Sequence, residues 1–178
     1  MDDQIAQWSI LERANPGSDP FMRYVGAWLG ANRPPPAPLT LVHGDLQIAN
    51  VLVGSEDRFT LIDWELAHIG DPREDLGWYR LVGALTPPDL INLDEAAFYA
   101  RYCERTRLSA EIVNPATTAY FTVLGSLKVF SGILGQAATM TRGDAGSTAI
   151  AYTILVQSSI HRVWMGALGA PGAAGGTS

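Results

Sequence analysis

The chain has 178 residues, of which 47% are hydrophobic and 17% charged, and its formal net charge is −6. This composition is typical of a globular domain, and the acidic balance argues against nucleic acid as a main partner because phosphate backbones are bound by basic surfaces. No apolar run approaches the ~20 residues of a membrane-spanning helix. The single cysteine, Cys103, cannot form an internal disulfide. We therefore expect a cytoplasmic protein with neither nucleic-acid nor membrane partners.

The first part of the chain predicts two helices followed by a stiff connector. Residues 2–14 can form a helix, and a better one follows from Ser18, a suitable N-cap, with Pro20 in its first turn. Apolar side chains at helical spacing give this second helix one apolar face, formed by Phe21, Tyr24, Val25, Trp28 and Leu29. The run RPPPAP, residues 33–38, predicts an extended connector.

Residues 39–63 predict a β-hairpin that carries a cluster of polar side chains. The stretch LVHGDLQIANVLV, residues 41–53, sets a polar loop between two apolar runs rich in β-branched residues. The overlapping sequence VLV-GSEDR-FTLID has the pattern of two short strands joined by a turn. Polar loops held on rigid strands commonly carry binding and catalytic groups.

Most of the remaining chain predicts helix. The sequences DPRE at residues 71–74 and NLDE at residues 92–95 are capping boxes, and each opens a helix. Asn114 opens a long helix to about Met140, and one further helix ends near Met165. The predicted fold class is therefore α+β, mostly helical, with a small hairpin.

The hairpin carries residues suited to phosphoryl transfer. His43, Asp45 and Asn50 follow the pattern H-x-D-x-x-x-x-N, and Asp63 ends the next strand. This is the layout of a phosphotransferase catalytic loop followed by a metal-binding aspartate. A carboxylate such as Asp45 can orient an attacking hydroxyl and accept its proton, and magnesium prefers oxygen ligands such as those of Asn50 and Asp63. We expect Asp45, Asn50 and Asp63 to converge on one cleft.

The segments HGDLQIANVLV and LIDWELAHIGDPREDLGWY resemble the aminoglycoside phosphotransferase and choline kinase-like family, which has a protein-kinase-like fold. The resemblance covers about residues 20–165 as the helical C-terminal lobe, with its specific motifs within residues 41–79. It implies the catalytic lobe of an ATP-dependent phosphotransferase that acts on a hydroxyl of a small molecule, with Mg²⁺ and ATP as cofactors. The sequences IDWE and AHIGDP most resemble those of the family's broad, poorly assigned phosphotransferases, including those linked to acyl-CoA dehydrogenases.

The resemblance also implies a role for individual residues. Asp45 would be the catalytic base, while Asn50 and Asp63 would hold magnesium and with it the nucleotide. His43 would support the loop structurally. Asp75 would brace the loop through hydrogen bonds to its backbone from the following helix, so we expect Asp75→Ala to cost more stability than the loss of a helix cap at Asp71.

Three further polar residues are candidates for the substrate side. Gln47 stands where many relatives carry a basic residue or histidine, and Glu65 and His68 follow in the loop after the hairpin. The aromatic residues, Trp78 among them, are interpreted as core, with any on the cleft side available to line a substrate pocket.

The resemblance extends to only one of the two lobes of the family's fold, the C-terminal lobe. A kinase fold needs an N-terminal lobe with a phosphate-covering loop and a lysine for the nucleotide phosphates. The residues before His43 show neither, and the chain's only lysine, Lys128, falls in a late helix. We therefore expect an absent N-lobe, an incomplete nucleotide site, doubtful activity of the isolated chain, and an exposed apolar surface that binds the missing lobe or a self-association partner.

The expected domains are residues 1–38 as leading helices and connector, 39–167 as the phosphotransferase C-lobe, and 168–178 as a flexible tail. Two other function classes stay open. One is a metal-dependent phosphohydrolase, whose candidate ligands are His43, Asp45, Asp63, His68 and Asp71. The other is a non-catalytic kinase-like remnant that binds a partner.

Overall fold

The structure is a computed structural model that describes residues 5–6, 9–10, 13, 20–55, 58–85, 94–141 and 159–168. Contacts divide the chain into two compact units, Met1–Arg33 with Val123–Ser178, and Pro34–Thr122. Several sequence-based expectations lie wholly or largely outside the described residues: the helix over residues 2–14, the cap Ser18, and the tail over residues 168–178.

The described strands form two separate antiparallel sheets of two strands each. Strand β1 (Thr40–Val42) pairs with β4 (His68–Gly70), and β2 (Val51–Val53) pairs with β3 (Phe59–Leu61). The β2–β3 pair is the hairpin expected from the sequence. Strand β4 is not among the elements predicted from the sequence, because a strand of three residues is too short to show an alternation of apolar and polar side chains.

Helices make up most of the remaining described chain. They are α1 (Pro20–Ala31), α2 (Arg73–Leu85), α3 (Glu95–Thr106) and α4 (Pro115–Thr141), and residues 159–168 are also helical. The described part of the protein is therefore mostly helical with small antiparallel sheets, as the α+β expectation required. No described helix is both long and apolar enough to cross a membrane.

Helix α2 begins at the capping box expected from the sequence. The Asp71 side chain accepts a hydrogen bond from the Arg73 backbone N–H at 3.0 Å, and the Glu74 carboxylate accepts one from the Asp71 N–H at 3.0 Å. At α3 the cap is Asp94, which accepts from the Ala97 N–H at 3.1 Å, and not the first residue of NLDE as expected.

Arg73 is completely buried and joins three segments of the unit Pro34–Thr122. Its guanidinium pairs with the Asp71 carboxylate at 2.7 and 2.8 Å and donates hydrogen bonds to the carbonyl oxygens of Pro35 and Ile112 at 2.7 and 2.9 Å. It also lies over the Phe121 ring, 4.9 Å from the centroid. These partners compensate for the loss of hydration that burying a cation requires.

Helices α2 and α4 come into backbone contact at Gly77. A Cβ atom at this position would lie 2.4 Å from the backbone carbon of Phe121 and 2.6 Å from the backbone nitrogen of Thr122. Glycine inside a helix costs about 1 kcal/mol relative to alanine, and the close approach explains why it stands here. This contact fixes the position of α2, which carries side chains that reach the polar loop.

The other unit has its own apolar contacts. Val25 and Leu29 of α1 are fully buried, in agreement with the predicted apolar face, whereas Tyr24 of the same face is exposed. The Trp164 side chain is also buried, and its indole N–H donates a hydrogen bond to the Ser126 hydroxyl at 2.8 Å.

Candidate active site

The loop between β1 and β2 is pressed against the short 3₁₀ turn Trp64–Leu66. Gly44 adopts a left-handed conformation with φ of 82°, and a Cβ atom there would lie only 2.4 Å from the Leu66 carbonyl oxygen. Only glycine satisfies both the positive φ and the close approach. The glycine of HGD therefore sets how closely the loop approaches the segment after the hairpin.

His43 ties the same loop to the end of the hairpin. Its buried ring donates from Nε2 to the Ile62 carbonyl oxygen at 2.9 Å, while Nδ1 accepts a hydrogen bond from the Asp45 backbone N–H at 3.3 Å. Both contacts require the neutral tautomer that carries its proton on Nε2. The ring also packs against Trp64, with the ring centroids 4.5 Å apart. These contacts hold the loop and do not expose His43 to a substrate.

Asp75 accepts two hydrogen bonds from the loop backbone, as expected from the sequence. The His43 N–H donates to Oδ2 at 2.8 Å, and the Gly44 N–H donates to Oδ1 at 2.9 Å. Hydrogen bonds to an ionised carboxylate are roughly twice as strong as those between neutral groups. Because Asp75 lies in the first turn of α2, the helix positions the loop directly.

The Asp45 carboxylate is surrounded by hydrogen-bond donors. The Trp78 indole N–H donates to Oδ1 at 2.7 Å, and the Asn50 amide donates to Oδ2 at 3.0 Å. The Gln47 amide lies 3.1 and 2.9 Å from the two carboxylate oxygens. The Asn50 amide also donates to the Asp45 carbonyl oxygen at 2.9 Å, so Asp45 and Asn50 form one hydrogen-bonded unit.

Asp63 lies beside this unit through the register of the hairpin. The Ile62 N–H donates to the Asn50 carbonyl oxygen at 3.0 Å, which puts Asp63 one residue beyond the strand partner of Asn50. Asp63 has a left-handed backbone with φ of 66° and an exposed side chain. The geometry thus joins Asp45 to Asn50 by direct contact and brings the Asp63 backbone alongside them.

Asn50 and Asp63 offer oxygen atoms of the kind that a magnesium ion binds. The amide nitrogen of Asn50 is committed to Asp45, which leaves its amide oxygen for a cation, and Asp63 adds an exposed carboxylate. Oxygen ligands of this kind fit Mg²⁺, which keeps several waters and is held largely through substrate phosphates. In the ranges that the structure describes, no three His, Cys, Asp or Glu side chains cluster as a metal site.

Glu65 and His68 are not brought to Asp45 by any described contact. Glu65 is exposed on the 3₁₀ turn. His68 lies in strand β4 and not in the loop expected there, and its Nε2 is 3.3 Å from the Glu74 carboxylate. Asp71, a candidate ligand in the phosphohydrolase alternative, is instead paired with Arg73.

Trp78 is interpreted from the sequence as core, with a place at the cleft left open, and its contact with Asp45 is not among the predicted ones. It is only half-buried, and its indole N–H contacts the Asp45 carboxylate. One signal was available: Trp78 follows Asp75 by three positions on a helix, so both side chains lie on the same face. A helix that braces the loop through Asp75 therefore presents Trp78 to the loop as well.

The fold and the loop define a class of protein: an α+β chain whose loop holds a carboxylate and an amide in direct contact, the residue types found together in the catalytic loop of protein kinases. The sequence model of the phosphotransferase enzyme family (APH) matches residues 1–110, and the chain belongs to this family.

A curated protein is similar to a shorter stretch of the chain. Over 78 residues the chain is 33% identical to acyl-CoA dehydrogenase family member 10 of Mus musculus. The aligned stretch covers 42% of this chain and 7% of the mouse protein, so the chain is similar to a small part of that protein. No solved structure matches the chain.

Proposed function

We propose that this chain carries the catalytic residues of an ATP-dependent phosphotransferase that acts on a hydroxyl of a small molecule. The observation that carries the proposal is the direct contact of Asp45 with Asn50 on a loop held by Asp75. Membership of the phosphotransferase family supports the reaction class.

Each residue has a separate task in the proposed reaction. Asp45 orients the acceptor hydroxyl and takes its proton while the hydroxyl oxygen bonds to the γ-phosphorus and the bond from that phosphorus to ADP breaks. The amide oxygen of Asn50 and the carboxylate of Asp63 would hold Mg²⁺, which would neutralise charge on the phosphates of ATP, the donor of the phosphoryl group. Glu65 and His68 are proposed for the acceptor side.

Exposed apolar side chains support a covering partner for the hairpin. Leu52, Val53 and Phe59 are 53%, 71% and 69% exposed although they lie in paired strands. Large exposed apolar patches commonly mark interaction sites. We propose that the nucleotide-binding lobe of the catalytic unit covers this surface, and that the unit works in the cytoplasm, where Cys103 stays reduced.

A transfer assay with γ-labelled ATP tests the proposal. The natural polypeptide that contains these residues is incubated with Mg²⁺ and a panel of aminoglycosides, amino alcohols, sugars and hydroxy acids, and label on the acceptor is measured. Asp45→Asn should lower kcat by on the order of 10²–10⁴. Glu104→Gln, an exposed change on α3, is the matched control. Label transfer by Asp45→Asn at the control's rate would refute the assigned base, and no transfer to any hydroxyl class would refute the function.

A further inference from the structure

Each oxygen of the Asp45 carboxylate already accepts two hydrogen bonds. Two carboxylate oxygens together offer about four lone-pair sites. Oδ1 accepts from Trp78 and Gln47, at 2.7 and 3.1 Å, and Oδ2 accepts from Gln47 and Asn50, at 2.9 and 3.0 Å. A hydroxyl that is to donate its proton to Asp45 must therefore displace one of these donors.

The three donors differ in how firmly they are held. Trp78 belongs to helix α2. Asn50 is buried, and its amide also donates a hydrogen bond to the Asp45 carbonyl oxygen. Gln47 stands at the start of the 3₁₀ turn Ile48–Asn50, where its side chain caps nothing and donates both of its hydrogen bonds to Asp45. Gln47 is therefore the donor that can leave the Asp45 carboxylate with the least change to the surrounding loop and helix.

We propose that Gln47 occupies, in the substrate-free protein, the place on the Asp45 carboxylate that the acceptor hydroxyl takes, and that Trp78 is a positioning residue that keeps the carboxylate aimed during the exchange. The identity of the incoming group rests on the proposed function. The exchange replaces an N–H donor by an O–H donor, so the carboxylate is never left without partners.

The same arrangement protects ATP from hydrolysis. A water molecule that is to attack in place of the acceptor must also break the contacts of Gln47 with both oxygens of Asp45. Water gains little from further binding contacts, whereas an acceptor has the rest of its surface to compensate for the displacement. Gln47 thus favours transfer to a bound acceptor over transfer to water.

Side-chain NMR of the ¹⁵N-labelled 178-residue chain tests the resting contacts without any activity. The Gln47 amide and the Trp78 indole N–H should both shift in Asp45→Asn. In Gln47→Met, which keeps the side chain's length and removes its donor, the Trp78 signal should stay near its wild-type position with slow solvent exchange. A Gln47 amide that is insensitive to Asp45→Asn, or a Trp78 signal lost in Gln47→Met, would overturn the proposal.

Kinetics of the natural polypeptide test the displacement. Gln47→Met should raise the rate of ATP hydrolysis without acceptor several-fold and lower the KM for the acceptor, with kcat within about twofold of the wild-type value. Trp78→Phe should lower kcat on the order of 10-fold with little change in KM, because the Asp45 carboxylate is no longer held in the orientation that the reaction needs. A raised acceptor KM in Gln47→Met would mean that Gln47 binds the acceptor, and unchanged values would mean that it does not compete; either overturns the proposal. A wild type that phosphorylates no hydroxyl refutes the proposed function instead, and the NMR signals still decide whether Gln47 rests on Asp45.

Discussion

Asp71 and Asp75 lie one helical turn apart, and each carboxylate satisfies groups from another part of the chain. Asp75 holds two loop N–H groups, and Asp71 holds the buried guanidinium of Arg73 as well as capping α2. The sequence-based expectation treated Asp71 as a cap, whose loss typically costs about 1 kcal/mol. The ion pair changes that expectation, because removing one partner of a buried pair costs about 3–5 kcal/mol.

We therefore predict that Asp71→Ala destabilises the protein by about 3–5 kcal/mol, at least as much as Asp75→Ala. Urea unfolding at neutral pH measures both. Asp94→Ala is the matched control, because Asp94 is an exposed cap without a buried cation, and it should cost about 1 kcal/mol. Equal losses for Asp71→Ala and Asp94→Ala would contradict the importance of the Arg73 pair.

Tyr102 makes stability sensitive to alkaline pH. Burial raises the pKa of its hydroxyl above the ordinary value of 10.0, and the negative charges of Asp75 and Asp71 raise it further. The unfolded chain ionises first, so this contribution to stability is complete below about pH 10 and is lost as the pH rises through the folded value. Tyr102→Phe should flatten the decline in unfolding free energy above pH 10, with exposed Tyr24→Phe as control. Parallel alkaline declines for Tyr102→Phe and wild type would rule this out.

At the scale of elements, the contact of α2 with α4 depends on a glycine, Gly77, which has no side chain to keep the two helices apart. Gly77→Ala places a methyl group within 2.4–2.6 Å of the α4 backbone, so the helices must separate. We predict a loss of several kcal/mol in unfolding free energy, in the range of overpacked cores. Gly30→Ala in α1 is the control, since nothing lies within 4 Å of its added Cβ, and it should be neutral or slightly stabilising. Thermal melts of the two variants that coincide would contradict the close packing.

The elements that the sequence predicted are those with local signals. Helix α2 begins at a capping box and the β2–β3 hairpin surrounds a turn rich in Gly, Ser and Asp, so neighbouring residues determine both. The β1–β4 pair, the hydrogen bonds of Arg73 to Pro35 and Ile112, and the hydrogen bond of Trp78 to Asp45 join positions 26 to 39 residues apart. Spacing along the chain does not by itself reveal such pairings, and that of Trp78 follows from its helical spacing only once the contact of Asp75 with the loop is known. The Asp75 contacts were an exception because the family resemblance supplied them.

For the whole molecule, we predict that these 178 residues alone bind Mg²⁺ weakly, bind ATP hardly at all and do not turn over. Magnesium in such sites is held largely through nucleotide phosphates, and the chain's single lysine, Lys128, lies in α4. Titration calorimetry and an ADP-release assay measure binding and turnover. Sustained ATP turnover by the 178 residues would show that the nucleotide site is complete within them.

We also predict that the 178 residues self-associate through the exposed hairpin. Val53 and Phe59 are its most exposed apolar side chains and lie opposite each other in the β2–β3 register. Sedimentation velocity should show concentration-dependent association that Val53→Thr combined with Phe59→Lys reduces. Ile10→Thr, an exposed apolar change outside the hairpin, is the control. A wild-type monomer at high concentration would contradict this surface assignment.

The bracing of the loop from α2 has a consequence for biosynthesis. His43, Gly44 and Asp45 find their partners on α2 31 to 33 residues later in the chain. At roughly 5–20 residues per second, the ribosome takes seconds to make those partners after the loop itself. A nascent chain that stalls before Asp75 therefore carries the whole HGDLQIAN motif while the hydrogen-bond partners of the loop on α2 do not yet exist. The motif becomes a site only when the later helix is made.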